Sequence, residues 1–559
     1  MKPIASYQKL RGGYYTPEPI AAFLADWAIQ DPQSSVLEPS CGDGVLLEAA
    51  VKTLLARGSD LRAIGHQIIG VELDAIESRK ANDKLDRLGV PAVEGQIRVG
   101  DFFSQCRELL ATNCLFDAIV GNPPFIRYQN FPEEHRDVAF QLMGRAGLLP
   151  NRLTNSWVPF LVAAMLLLKP HGRLAMVIPA ELLQVNYAAR LRRLLSDRFS
   201  AITLLTFKKL LFEGVQQEVV LFLGERDGID HTGIRTIELE TMDDLVTYQH
   251  DEFMSSPLKP MSHSTEKWTQ YFLDPDEIML LRELRSDTRI ARLGDVADVD
   301  VGIVTGLNQF FVLTSEQAET HELLPYARRI VGRSNQLQGI VFTDQDWMTQ
   351  AARDLPTQLL VAPDVPFDQL PAALQTYVRI GEEANYHEGY KCRIRKRWYV
   401  VPSYWIPDAF MLRQVHDHPK LVLNAAQTTC TDTIHRVRLR SDLQGSVISS
   451  AFMNSLTFAF SEVLGRSYGG GVLELEPNEA EQLLLPLDNA QALDIDELDH
   501  LERANNTEGI LDTVDRILLT VGLGLSASDV GMLRGIWRKL SHRRINRKYR
   551  PSLNGSRKY

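Results

Sequence analysis

"SVLEPSCGDGVLLEAAVKTLLARG", Ser35 to Gly58, decides the architecture. A short apolar run through Val36 and Leu37 gives way to the turn Pro39-Ser40-Cys41-Gly42-Asp43-Gly44. The turn opens onto apolar residues at helical spacing. Strand, glycine-rich turn and helix in this order begin a strand–helix–strand crossover. At such a turn the backbone can approach a ligand, and the helix start offers free N–H groups. A dinucleotide fingerprint would read G-x-G-x-x-G, but Pro39 and Ser40 replace its first glycine, so a pyrophosphate cradle fits poorly. Glu38, at the strand tip, suits a ligand carrying an ammonium group.

The same rhythm continues outward. Candidate strands are "SVLEPS" from Ser35, "QIIGVEL" from Gln67, "QIRVGDFF" from Gln96, "FDAIVGN" from Phe116, "RLAMVIPA" from Arg173, "AITLLTF" from Ala201 and "EVVLFLGE" from Glu218. Helical segments such as "YAARLRRLLSDRF" fall between them. This alternation predicts an α/β fold: a doubly wound, seven-stranded, Rossmann-like domain over residues 1–225, with ligands beyond the carboxyl ends of its strands. The polar stretch 226–265 reads as a linker. Residues 266–490 read as a mixed α/β domain, and 491–559 as a helical, basic C-terminal segment.

A chain of 559 residues exceeds one core, and 45% hydrophobic with 23% charged residues is an ordinary globular composition. The N-terminus lacks a signal-peptide pattern, and the apolar run "FLVAAMLLL" (Phe160 to Leu168) is too short to span a membrane. It reads as a buried helix. Five scattered cysteines without a CxxC pair fit a reducing cytoplasm, and no metal site is expected.

Net charge is −11, but unevenly placed. Gly531 to Tyr559 holds ten Lys/Arg and no Asp/Glu, leaving −21 on residues 1–530. A second basic stretch, "KCRIRKRWY", carries Lys391, Arg393, Arg395, Arg397 and Trp398. Two such runs in an acidic chain read either as solvated faces or as a nucleic-acid footprint, in which these residues and Arg543 and Arg544 meet phosphates.

Successive strands also end in acids. "IIGVELD" places Glu72 to accept from ribose hydroxyls. "RVGDFF" places Asp101 to accept from an adenine amino group, with Phe102 beside it for the ring face. The fourth strand ends in Asn122-Pro123-Pro124-Phe125.

With "GGYYTP" (Gly12 to Pro17), "LEPSCGDG", Glu72, Asp101-Phe102 and Asn122 to Phe125 in this order, the chain resembles the gamma class of S-adenosylmethionine-dependent adenine-N6 DNA methyltransferases. "ADVDVGIVTGLNQFFVL" and "GRSYGGGVLELEPNEAEQLLLP" resemble a TaqI-like C-terminal specificity domain. The resemblance implies a cofactor site of Tyr15, Thr16, Glu38, Ser40, Cys41, Gly42, Glu72, Asp101, Phe102, Asn122 and Pro124. It implies double-stranded DNA as partner and a target adenine flipped out of the duplex, since an amine inside the stack cannot reach the cofactor.

The adenine amine is a poor nucleophile because its lone pair is delocalised into the ring. Two acceptors aimed at its hydrogens, the Asn122 side-chain oxygen and the Pro123 carbonyl, would draw the nitrogen toward tetrahedral geometry. The prolines fix φ and so hold that carbonyl in place. Phe125 offers a stacking face worth ~1–3 kcal/mol, and Phe212, in "FEGVQQEVV", is assigned the opposite face.

Open alternatives are a cytosine-N4 enzyme, a protein-glutamine or ribosomal-RNA guanine methyltransferase, and a catalytically silent DNA-binding module. Adenine is favoured by Asn122, where cytosine-N4 enzymes begin with Ser or Asp. No nuclease cluster is legible, so restriction is expected on a separate endonuclease. The protein is expected to act as a monomer on DNA, without a membrane.

Overall fold

The computed structural model describes residues 15–151, 154–208, 218–226, 232–247, 256–262, 266–440, 444–468 and 470–546. The chain divides into two compact units, Met1–Pro275 with Asn546–Tyr559, and Asp276–Ile545.

The first unit is built on one sheet, ordered β3-β2-β1-β4-β5-β7-β6-β8. Its strands are β1 (Val36–Glu38), β2 (Ile68–Glu72), β3 (Ile97–Val99), β4 (Phe116–Gly121), β5 (Leu168–Pro179), β6 (Ala201–Phe207), β7 (Val219–Glu225) and β8 (Gly233–Leu239). All pairings are parallel except those of β7, which runs against both β5 and β6. Strands β6 and β7 read as mostly apolar runs because nearly every residue is buried on one face or the other.

Helices fill the crossovers, and carboxylates start several of them. Asp60, Asp74 and Asp101 each accept backbone N–H groups of the first helical turn, for helices Leu61–Gln67, Ala75–Arg87 and Phe102–Ala111. The run beginning at Phe160 is the second half of helix Trp157–Leu166, buried at nine of ten positions; Leu168 already belongs to β5.

The sheet has eight strands, one more than the seven expected. The extra one, β8, lies inside 226–265, so that stretch is not simply a linker. Its "GIRTIEL" pairs with all of β6, from Ala201↔Gly233 to Phe207↔Leu239, and its threonine, arginine and glutamate interrupt the apolar pattern that marks the other strands.

The second unit holds a five-stranded sheet, led by Ala297–Val301 and Ile434–Leu439 in antiparallel register, and a four-stranded sheet that includes Ala327–Val331. The helices after residue 491 belong to this unit and do not form a separate segment. Arg503 joins them to Asp346 at 2.8 Å. Among the described residues no single helix is long and apolar enough to cross a membrane.

Candidate active site

Strand order reverses at β1, with β2 and β3 on one side and β4 and β5 on the other. In open α/β sheets the crevice beyond such a reversal is where ligands bind. Glu38 and Asn122 stand there, at the tips of β1 and β4, and Ser40 Oγ donates to the Asn122 carbonyl at 3.3 Å. A methyl at Gly121 would lie 3.2 Å from the Pro39 ring, so the two tips are in contact.

The turn after β1 is held from outside. Cys41 N–H donates to the Val71 carbonyl at 2.9 Å, and Gly42 N–H to Glu72 Oε2 at 2.8 Å. Gly44 has φ +84° and starts helix Val45–Arg57; a Cβ there would sit 2.8 Å from Ala81 Cα. Glu72 also accepts from Asp74 N–H, at 2.8 Å through Oε1. It therefore ties the β1 turn to the β2 tip, and its remaining lone pairs suit hydroxyl donors.

Glu38 is the electrostatic centre of the crevice. It is 2% exposed, and its Oε2 has no hydrogen-bond partner among the described residues. Burial, with Glu72 and Asp43 nearby, holds its carboxyl well above the usual carboxylate range. A buried acceptor left open is costly unless a ligand completes it. An ammonium group would do so, which fits the amino-acid end of S-adenosylmethionine.

Other expected residues take different places. The Cys41 thiol is buried and kept neutral by that burial, so the residue serves the turn through its backbone. Tyr15 is exposed and donates to Glu77 Oε2 at 3.1 Å, while Thr16 is buried. Asp101 engages Ser104 N–H and hydroxyl through Oδ2, and its Oδ1 lies 3.4 Å from His135 Nδ1. Phe102 is a correction: it is 3% exposed and stacks on Phe160 at 5.2 Å, as the first residue of its helix turned inward. The apolar side chains left open at these tips are Leu73 and Val99, each 55% exposed, with Glu72 and Val99 paired in register. The signal in the sequence was the apolar residue directly after Glu72.

In the fourth-strand loop the Asn122 amide nitrogen donates to Thr16 Oγ1 at 3.2 Å. With the Thr16 hydroxyl as acceptor, Oδ1 is the acceptor end of the amide. Pro123 is buried, Pro124 and Phe125 are half-buried, and Phe125 packs against the core cluster of the sheet. Phe212 lies outside the described residues. The residues that flank its segment do not: Ala180 N–H donates to Glu218 O at 2.9 Å beside the end of β5, because β7 runs antiparallel.

The basic stretches divide. Lys391, Arg393 and Lys396 are exposed. Arg395 donates to the Val304 carbonyl at 2.7 Å and lies over the Phe311 ring, Arg397 pairs with Asp364, and Trp398 packs on Phe310 at 4.8 Å. These three brace the second unit. Arg544 is also corrected: it is 3% exposed, paired with Glu462 at 2.6 Å, and donates to the Val415, His416 and Gly471 carbonyls. From that position it reaches no phosphate. Arg543 is half-buried. Arg438, not singled out in the sequence, is exposed with its guanidinium 4.4 Å from the Trp405 ring centroid.

A doubly wound sheet, acids at successive tips and an Asn-Pro-Pro-Phe loop at the strand-order reversal define an S-adenosylmethionine-dependent methyltransferase of amino groups. Residues 2–275 match the N-6 DNA Methylase family, and residues 265–519 match the C-terminal domain of Type II methyltransferase M.Eco57I. The chain belongs to the N-6 DNA methylases and is an adenine-specific DNA methyltransferase. Type II methyltransferase M.XamI of Xanthomonas campestris pv. amaranthicola is 22% identical over 498 residues, 88% of each chain. M.AccI of Acinetobacter calcoaceticus is 20% identical over 542 residues, 92% of this chain and 94% of its own. The Type IIL restriction-modification enzyme MmeI, solved in complex with DNA, shares the fold with a TM-score of 0.55 at 12% identity, covering 92% of this chain and 73% of its own. The cytosine, protein and silent-module alternatives are not favoured by these matches.

Proposed function

We propose that the Asn122–Phe125 loop grips the N6 amine of an adenine extruded from duplex DNA. The observation that carries this is the place of Asn122, hydrogen-bonded to Thr16 at the strand-order reversal beside the open acceptor of Glu38. S-adenosylmethionine, when bound, supplies an electrophilic methyl on a sulfonium. Glu38, the Cys41–Gly44 turn, Glu72 and Asp101 would hold it, with Leu73 and Val99 beside its base. Asn122 Oδ1 and the Pro123 carbonyl accept from the two amine hydrogens and draw the nitrogen lone pair out of the ring. So held, the amine would be poised for the methyl that the cofactor supplies, and the proton it sheds would leave to water. Phe125 and Phe212 stack on the two faces of the base.

The order cofactor turn, Asn-Pro-Pro-Phe loop, then second unit fits the gamma class. The exposed cations Lys391 and Arg393 meet phosphates, which positions the protein without specifying sequence. The enzyme acts as a monomer that modifies DNA within a restriction-modification or phage-defence system, with cleavage carried by a separate endonuclease. Asn122→Ala tests the loop's role. With tritiated S-adenosylmethionine and mixed-sequence duplex it should leave no label in adenine while cofactor binding stays nearly intact. Normal labelling by that variant would defeat the assignment.

A further inference from the structure

Two prolines in a row leave the acceptor loop with a difficulty. Neither Pro123 nor Pro124 has an N–H, so the loop cannot brace itself through its own backbone there. Something outside must set how far its carbonyls reach. Ser156, which is fully buried, makes three hydrogen bonds to the loop. Its hydroxyl donates to the Pro124 carbonyl and accepts from Ile126 N–H at 2.8 Å. Its own N–H donates to the Ile126 carbonyl at 2.9 Å. The ring of Pro124 already fixes φ, so pinning its carbonyl leaves the adjoining Pro123 carbonyl little freedom to rotate.

The preceding residue reaches the other way. Asn155 Nδ2 donates to Glu181 Oε2 at 3.2 Å and to Tyr187 Oη at 3.4 Å, and the Tyr187 hydroxyl donates to the same Glu181 oxygen at 2.6 Å. Glu181 lies just beyond β5, whose Met176 pairs with Gly121 at the end of β4. Asn155 and Ser156 therefore bridge the loops after two adjacent strands. They do so at the start of helix Trp157–Leu166, an almost wholly buried and hence closely packed support.

We propose that Ser156 is a positioning residue for methyl transfer, and that with Asn155 it clasps the acceptor loop to the Glu181–Tyr187 pair. The inference rests on the reading of Asn122 and Pro123 as acceptors. Ser156 touches neither cofactor nor base; it holds the carbonyl next to the one that does. Its loss shifts the loop by a fraction of an ångström, which matters for chemistry far more than for binding.

The test compares Ser156→Ala, the near-isosteric Ser156→Cys, Asn155→Ala and Asn122→Ala in the full chain. Tritiated S-adenosylmethionine and unmethylated mixed-sequence duplex serve as probes, with a single-turnover transfer rate, a cofactor Kd and a melting temperature for each. Ser156→Ala should lower the single-turnover rate roughly 10- to 100-fold with cofactor Kd within about twofold. Asn155→Ala should cause a smaller loss of the same kind, and Ser156→Cys should recover part of the rate. A rate unchanged in both Ser156 variants, while Asn122→Ala is silent, overturns the clasp and leaves the acceptor reading standing. A fall in melting temperature or cofactor affinity without loss of single-turnover rate also overturns it, since Ser156 would then be structural only. Active Asn122→Ala removes the acceptor reading and this inference together.

Discussion

Asn122 and Thr16 are joined by one hydrogen bond of 3.2 Å, from the amide nitrogen after β4 to a buried hydroxyl near the N-terminus. The bond gives the amide a direction that a free asparagine would lack. With the hydroxyl accepting, the nitrogen faces the N-terminal segment and Oδ1 is the acceptor end.

Thr16→Val removes the acceptor while keeping shape. A neutral hydrogen bond contributes about 0.5–1.5 kcal/mol, so kcat should fall roughly 2- to 12-fold. Thr16→Ser should restore it. Steady-state methylation of duplex DNA checks both, and an unchanged kcat in the valine variant would make the bond incidental.

Glu38 carries a pH signature. Its folded-state pKa is raised by burial, whereas an unfolded Glu titrates near ~4.3. As pH rises past that value, the unfolded chain gives up a proton that the folded protein keeps. Free-protein stability therefore declines until pH has passed the raised folded value. Glu38→Gln should flatten that decline and raise the melting temperature of the free protein at neutral pH. The same change should weaken S-adenosylmethionine binding roughly 12- to 160-fold, from about 1.5–3 kcal/mol for a hydrogen bond to a charged group. Melts across pH and calorimetric titration separate the two effects.

Arg544 and Glu462 form a buried pair, and removing one partner leaves the other charge stranded. Arg544→Ala should destabilise the second unit by about 3–5 kcal/mol. Denaturant melts measure this. The expected failure is unfolding, not a uniform loss of DNA affinity from an intact protein.

Lys391 and Arg393 should behave oppositely. Alanine at either should leave stability unchanged and weaken all duplexes alike, reducing the slope of log K against log salt by about 0.9 for each phosphate no longer neutralised. Arg438, stacked on Trp405, presents an ordered guanidinium edge. Arg438→Ala should instead change the preferred site, as mapped by methyladenine sequencing.

The sheet was legible because strand ends, turns and helix starts are local. Seven strands, the Gly42–Gly44 turn and the crevice acids all follow from residues near one another in sequence. What escaped depends on which way a side chain turns. Phe102 and Asp101 are neighbours, yet capping by Asp101 makes Phe102 the first residue of a helix and aims it into the core. Arg544 sits among basic neighbours, but its spacing sets it apart from them. It follows Leu533, Ile536, Trp537 and Leu540 on one buried stripe of helix Ala527–Ile545, and its partner sits in the apolar helix Ser455–Leu464. That stripe was visible in the sequence. Strand β8 escaped because its polar residues broke the apolar run, and Phe212 lies outside the described residues.

The 2.8 Å that would separate a Gly44 side chain from the Ala81 backbone ties the turn after β1 to the helix after β2. Stiffening the turn with an alanine would press helix Ala75–Arg87 outward and carry Asp74, and through it Glu72, away from the crevice. Because the nearest atom is the Ala81 Cα, no change of side chain there relieves the contact, and the outer helix must yield before the inner turn can change.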